Sequence, residues 1–392
     1  MADYTVYFTD LVSQQVLGSL PVSSLSYETV LSAAGSAQFT MPLRTSVTRT
    51  YTVEGVGVSP EEDTYPAVDL YPSDSGSAEA SFSTPDLTLS TFTPGRIGIF
   101  IERDAVVVWS GILWTLNLDV GNNTATGACE GWHSYFARRF LRATKVYSAS
   151  TDDQAFIAKD LIDWAQAQSG GDIGVSTADV VNTGIKRDRT YYGYERKNIG
   201  ELVEQLGEVE NGFDWYYSTA KTNGTYDTRF LILYPTTGRV TPVRFEMGAN
   251  VELLKCTVDS TSMAHRVEAT GAGEGIHIRS ANAVDAASLL SFPLLEDQLS
   301  FSDVTSTTTL GQHANKRLAL TKKPVIIPTL SVNPDADPAF GSYSVGDQVR
   351  VAGSYGLLDL DAQYRITTIS VSVDLSGMES ISLDLAPAEM YG

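Results

Sequence analysis

The 392-residue sequence reads as a mainly β chain with an α+β module, organised as two β-barrel domains flanking a helix-containing middle domain. Three observations carry that reading. Apolar and polar residues alternate with period two along much of the chain, helical signatures are few and central, and the two ends of the chain resemble one another.

The strand signals come first. Trp114, Leu116, Leu118 and Val120 alternate with Thr115, Asn117 and Asp119, the pattern of a half-buried strand that would place Trp114 in the core of the first barrel. Phe213, Trp215 and Tyr217 alternate with Asp214 and Tyr216. Ile369, Val371, Val373 and Leu375 alternate with Ser370, Ser372 and Asp374, and Ile381, Leu383 and Leu385 with Ser382 and Asp384.

Three helices are expected. Thr151 and Gln154 form a capping box ahead of a segment with Ile157, Leu161 and Trp164 on one face, ended by Gly170 and Gly171. A second helix starts at Asn198 with Glu201 at its third position, carries Ile199, Leu202, Val203, Leu206 and Val209 as its stripe, and ends at Gly212. A third spans about 307–320 with Leu310, Ala314 and Leu318.

The resemblance between the ends lies in two runs. PGRIGIFI (residues 94–101) is followed by a turn, the alternating stretch 112–120 and Gly121. VGDQVRVA (residues 345–352) is followed by a turn, the alternating stretch 366–375 and Gly377. Each reads as glycine, short strand, turn, long alternating strand, glycine, and the expected meaning is a duplicated barrel. The expected organisation is therefore an N-terminal barrel over 1–125 with a long acidic loop at about 50–92, an α+β domain over 126–255, and a second barrel over 256–392 with a helical insertion at about 280–340.

Composition bounds the function. Hydrophobic residues make up 43% and aromatics 10%, which excludes wholesale disorder. Lys and Arg number 27 against 47 Asp and Glu, for a net charge of −20, opposite to what phosphate neutralisation requires. Residues 1–120 hold 4 basic and 14 acidic side chains, 121–250 hold 14 and 16, and 251–392 hold 9 and 17, so the acid belongs to the two ends. Residues 50–95 contain no Lys or Arg and read in part as a long loop, either solvated or facing a partner or channel.

Cys129 and Cys256 allow at most one disulfide and no zinc motif, and read as two reduced, buried thiols of a protein made in a reducing cytoplasm. MADYTVYFTDLVSQQ has neither a basic nor an apolar signal region, so no secretory leader is expected, and no apolar run approaches membrane-spanning length.

The search for chemistry assigns no catalytic, cofactor-binding or metal-ligating residue. His133, His265, His277 and His313 are not spaced for a local metal motif, with His133 read as a packed or interfacial ring. Gly271, Gly273 and Gly275 precede a strand pattern and not a helix, which indicates a turn between strands and not a phosphate loop. Carboxylate pairs such as Asp359 with Asp361 and Glu296 with Asp297 carry no information in so acidic a chain.

One cluster stands out: Arg187, Arg189, Tyr191, Tyr192, Tyr194 and Arg196, within IKRDRTYYGYERKN. Cations with aromatic rings can bind single strands. Asp188, Glu195, Glu201 and Glu204 neutralise much of this one, so a strand hairpin at a protein–protein contact is the favoured reading, Tyr and Arg being enriched at such contacts.

The runs GRIGIFIERDAVVVWSGILWTLNLD, CEGWHSYFARRFL, DDQAFIAKDLIDWAQAQSGGDIGV and RDRTYYGYERKNIGELVEQLGEVENGFDWYYS resemble the minor tail proteins of siphophages infecting actinobacteria, which in turn resemble the baseplate hub family of tailed phages. The resemblance covers residues 1–280 well and the C-terminal third more loosely, and no family pattern is apparent over about 50–90. It implies a non-enzymatic virion protein of the tail tip, made in the host cytoplasm. It implies a homotrimer whose six barrels form a ring between a six-fold tail tube and a three-fold tip. Implied partners are a distal tail or tail tube protein above, and tip or fibre and tape-measure proteins. Viral DNA would pass through an acidic channel without specific binding, with no cofactor and no membrane span. The alternatives are a distal tail protein forming a hexameric ring, a cell-wall hydrolase, or a carbohydrate-binding tail protein using Trp109, Trp114, Trp132, Trp164 or Trp215.

Overall fold

The structure, a computed structural model, describes residues 2–43, 48–54, 77–83, 88–302 and 304–388. The first β unit comprises β1 (Tyr4–Asp10), β2 (Val16–Leu20), β3 (Ser24–Val30), β4 (Ser36–Pro42), the paired strands β5 (Thr48–Glu54) and β6 (Ser77–Ser83), β7 (Ile97–Arg103), β8 (Val106–Asp119) and β9 (Thr124–Gly131). A middle unit follows with α1 (His133–Phe136), β10 (Lys145–Tyr147), α2 (Gln154–Gln166), β11 (Val175–Ser176), β12 (Arg189–Tyr191), α3 (Ile199–Gly207), β13 (Asp214–Thr222) and β14 (Thr225–Leu233). The second β unit opens with β15 (Arg239–Glu246) and β16 (Val251–Asp259). It is interrupted by β17 (Arg266–Thr270), β18 (Ser280–Val284), β19 (Glu296–Ser300) and α4 (Thr307–Thr321), and closes with β20 (Val325–Val332), β21 (Asp347–Tyr355), β22 (Leu358–Val373) and β23 (Glu379–Pro387). The expected acidic loop lies mostly outside the described residues.

The chain is mainly β with an α+β module, as the alternation indicates. The two β units are not separate bodies, because one hydrogen-bonded sheet contains both. In the first unit the order is β1-β7-β8-β9-β4-β3, and in the second it is β15-β21-β22-β23-β20-β16. Read along the chain, these twelve strands correspond one to one and in sequence. One ladder differs: β1 pairs β7 antiparallel, whereas β15 pairs β21 parallel.

The correspondence reaches individual residues. β7 and β8 join through a two-residue turn with both Asp104 and Ala105 at positive φ, and β21 and β22 through a two-residue turn with Gly356 at φ 61°. Gly95 donates its N–H to the Leu113 carbonyl at 2.7 Å, and Gly346 donates to the Ile366 carbonyl at 2.8 Å. Both glycines hold a left-handed φ, 81° and 86°. Immediately after those acceptors, each long strand bulges: the register with β9 shifts between Leu113 and Thr115, and that with β23 between Ile366 and Thr368. Trp114 and Thr367 are the extra residues.

The bulge corrects one expectation. Inserting a residue reverses which face the following side chains take. Leu113 and Leu116 both pack on the β core, while Trp114 points outward to the middle unit. There its indole donates to Ser134 Oγ at 2.8 Å and lies under the Arg138 guanidinium, 3.9 Å away.

Other boundaries shift as well. The α2 cap is Asp153 and not Thr151: its carboxylate accepts from the Ala155 N–H at 2.8 Å and from the Thr183 and Gly184 N–H groups, so one side chain both starts the helix and holds the facing loop. Asn198 caps α3 by accepting from the Glu201 N–H, and Ile199, Leu202, Val203, Leu206 and Val209 are all buried, as the stripe indicates. The second β unit begins at β15, before residue 256, and its insertion lies between β16 and β20 and not at 280–340. Both cysteines are free thiols, with Cys129 buried but Cys256 only half-buried.

Asp214 joins all three units. Its carboxylate accepts from Ser32 Oγ of the first β unit at 2.9 Å and from Arg365 Nη1 of the second at 2.6 Å, while the Ser32 N–H donates to the Trp215 carbonyl. Arg365 is fully buried. Because a buried charge that loses its partner keeps its desolvation cost, Asp214→Asn, which leaves the fully buried Arg365 guanidinium without its counter-ion, should destabilise the chain by about 3–5 kcal/mol. Arg365→Met, which removes the buried charge and keeps its volume, should cost less. Urea unfolding of the two variants checks the order, and equal near-zero effects would exclude Asp214 as the joint.

Candidate assembly interface

The Tyr/Arg cluster divides between interior and surface. Arg187 is buried: it donates to Gln154 Oε1 at 3.1 Å, to Gln312 Oε1 at 2.9 Å and to the Glu210 carbonyl at 2.5 Å, tying α2 and the α3 end to α4. Burial pushes its guanidinium down to about 10. Tyr191 is also buried, opposite Lys145 in the β10–β12 ladder and edge-on to Tyr147. These two are corrected from contact residues to internal ones, and the reason is spacing. Alternation in a strand sends one side chain inward for each one outward, whatever its polarity.

The outward set remains. Tyr192 and Tyr194 are exposed and stacked, with ring centroids 5.3 Å apart, beside exposed Arg196 at φ 54°. Arg189 is half-buried and donates to the Asp188 carbonyl. A surface of paired rings with an adjacent cation suits a protein contact.

Adjacent residues at the end of β7 face opposite ways and make two further joints. Glu102 is buried and accepts from Tyr226 Oη at 2.6 Å and lies 2.8 Å from Lys221 Nζ, both on the β13–β14 hairpin. Arg103 donates to Glu379 Oε1 at 2.6 Å and to Oε2 at 2.9 Å, crossing from the first β unit to β23. Burial raises the Glu379 carboxyl, but hydrogen bonds from Arg103 and Tyr4 outweigh it and hold the group below the usual carboxylate range. Burial and the Glu379 charge push the Tyr4 hydroxyl up.

The cleft between the β units and β13 is lined by Tyr27, Trp109, Tyr217, Phe340 and Tyr343, with Arg103 and Asp104 as its charged side chains. With Arg103 bound to Glu379, this lining holds no nucleophile–base pair. His133 is packed 4.1 Å from Trp215 and hydrogen-bonds Tyr217 Oη and Glu204. No group of three or more His, Cys, Asp or Glu side chains suited to a metal occurs among the described residues, and no helix among them is long and apolar enough to cross a membrane. Gly273 and Gly275 lie in the connection between β17 and β18, where Gly275–His277 forms a single 3-10 turn and the strand starts only at Ser280, later than the pattern indicates.

This arrangement of two equivalent β units around an α+β unit recurs in solved structures. The chain has the fold of prophage tail proteins. The 43 kDa tail protein of prophage MuSo2 from Shewanella oneidensis matches with a TM-score of 0.61 at 11% identity, covering 99% of each chain. A tail protein from Neisseria meningitidis matches with a TM-score of 0.52 at 12% identity, covering 99% of this chain and 98% of that one. Prophage tail protein gp18 from Listeria monocytogenes matches with a TM-score of 0.50 at 11% identity, over 97% and 94%. No protein-family model and no curated protein matches the sequence. What is shared is therefore the fold over its full length, with hardly any residues in common.

The joints Asp214–Arg365, Glu102–Lys221 and Arg103–Glu379 carry a signal in the sequence. Each includes a charge next to or inside an apolar run, as Glu102 after IGIFI and Arg365 before Ile366, and such a charge must be paired or exposed.

Two outcomes follow from this geometry. Arg187→Ala strands buried acceptors and should cost about 1–3 kcal/mol in stability, whereas Tyr192→Ser with Tyr194→Ser should change monomer stability by no more than about 0.5 kcal/mol while weakening association. Thermal melting paired with native mass separates the two. Because the folded Glu379 carboxyl is depressed, its stabilisation is complete above the ordinary glutamate value and lost as pH falls through the folded value. Glu379→Gln should thus cost about 1–3 kcal/mol near neutral pH, and progressively less below about pH 4. Urea unfolding across pH checks this, and a pH-independent difference would sink it.

Proposed function

We propose that the chain is a structural tail-tip hub of a long-tailed bacteriophage, acting as a homotrimer and not as an enzyme. The observation that carries this reading is the duplication. Two β units with the same six-strand order, turns and bulges lie side by side in one chain, in a fold that prophage tail proteins share from end to end. Three copies would present six equivalent β units, which matches a six-fold tube on one side and a three-fold tip on the other.

The charge supports a conduit. The acid belongs to the two ends of the sequence, in part to residues 50–92, and an acidic wall would repel phosphate, so DNA would pass without the counterion release that holds it on basic surfaces. The partners of this reading are a distal tail or tube protein above, and tip or fibre and tape-measure proteins. Tyr192, Tyr194, Arg189 and Arg196 are the contact surface offered to one of them. The place of action is the tail tip of the virion.

Native mass spectrometry of the purified chain, with electron microscopy of tail tips, tests the reading. The expected results are a mass of three chains and six-lobed density around a central channel. A mass of six chains would assign the protein to a distal tail ring, and clearing of host cell walls in a zymogram would make it a hydrolase.

A further inference from the structure

The long strand β22 has two ladders on one edge. Its first half, Leu358–Arg365, pairs with β21, and beyond the bulge Thr368–Val373 pairs antiparallel with β3 of the other β unit. Its equivalent β8 repeats only the first of these. Residues 106–112 pair with β7, and beyond the bulge at Trp114 the same edge carries no ladder among the described residues. The edge left open is the one that β3 covers on β22.

The apolar pattern on that open edge has the wrong exposure for a finished surface. Counting from the bulge, Leu116, Leu118 and Val120 correspond to Ile369, Val371 and Val373. Val371 and Val373 are 2% and 9% exposed beneath β3, whereas Leu118 and Val120 are 46% and 80% exposed. A strand equivalent to β3 is therefore wanted. The second β unit supplies one in β16, an edge strand that pairs with β20 alone and leaves Val258 67% exposed.

We infer that the distal half of β8 accepts β16 of a second copy of this chain as an antiparallel strand, repeating between copies the β3–β22 junction made within each copy. This rests on the hub reading above and names the interface that would close its ring, a head-to-tail contact.

The register follows from the two sets of ladders. β3 aligns with β16 through their partners: Leu25 faces Phe39 as Leu254 faces Leu330, and Phe39 and Leu330 face the equivalent Gly127 and Leu383. Carrying over Val371 opposite Tyr27 sets Leu118 opposite Cys256. Leu116 then meets Val258, Val120 meets Leu254, and Asp119 meets Lys255. Every apolar residue finds an apolar partner and the acid finds a base. The Leu31 N–H, which donates to the bulge carbonyl of Thr367 at 2.9 Å, has its counterpart in the Ser260 N–H and the Trp114 carbonyl.

The native thiol gives the test. Leu118→Cys in the full chain places a thiol opposite Cys256 of the next copy, at a cross-strand spacing a disulfide can bridge. Mild oxidation should give covalent species of two and three chains on a non-reducing gel. These should vanish on reduction and in a Cys256→Ala background, and should not form from Asn117→Cys, which faces the other side. Lys255→Glu, an exposed change that sets like charges opposite at Asp119, should weaken association by up to about five-fold per contact, less at high salt.

A native mass of three chains without a Cys256-dependent crosslink, or with association indifferent to Lys255→Glu, would overturn this interface and leave the hub reading standing. A monomer at every concentration would overturn both.

Discussion

Six residue pairs, from Thr368 with Val30 to Val373 with Leu25, join β22 to β3 and make two β units into one sheet. Such a ladder satisfies backbone groups that two separate units would have to expose along open edges, and it buries the alternating face of both strands at once. The other joints are arranged about it. Ser32, just past β3, and Arg365, just before the bulge in β22, meet on the carboxylate of Asp214, so the middle unit is anchored where the two β units touch. Arg103 and Glu379 close the same seam from the far side. A charge is costly to desolvate, so these pairs tolerate only one relative placement of the units, and orientation is what they secure.

The bulges explain how one strand can serve two neighbours. In β22 the extra residue, Thr367, lets the strand leave β21 and meet β3 without turning its apolar face to solvent. The Gly346 N–H, held at a φ that side chains avoid, accompanies that departure by taking the Ile366 carbonyl. The same glycine, carbonyl and bulge recur at Gly95, Leu113 and Trp114. A repeated irregularity of this kind is stronger evidence of duplication than repeated regular strands, because alternation alone recurs in any sheet. In the first unit the extra residue has taken a further role: Trp114 leaves the β core and becomes the surface on which Ser134 and Arg138 dock.

The contacts that join the units of this molecule lie along its seams. Charged groups are tied to one another across the units, as Glu102 is to Lys221 and Tyr226. Part of the apolar exposure lies on strand edges, as at Leu118 and Val258, and at the stacked rings of Tyr192 and Tyr194. This exposure agrees with the hub proposed above. It also fits a fold kept at 11–12% identity, since a backbone pairing pattern constrains alternation and not residue identity.

Alternation and capping chemistry are local, so the mainly β character, several strands such as those at 97–101 and 213–217, and the three long helices were legible in the sequence. Asn198 with Glu201 marks a helix start, and Ile199 to Val209 mark its buried stripe, whatever surrounds them. The interface cluster was legible only in composition. That Arg187 and Tyr191 turn inward while Tyr192 and Tyr194 turn outward depends on which side of this segment meets α2 and α4. The tertiary structure alone decided that a single inserted residue at Trp114 and at Thr367 reverses the faces beyond it, and that β3 returns to a strand more than 300 residues away in sequence. Periodicity is a property of neighbours a few residues apart. Register and edge partners are set by hydrogen bonds between segments that meet only after the chain has folded.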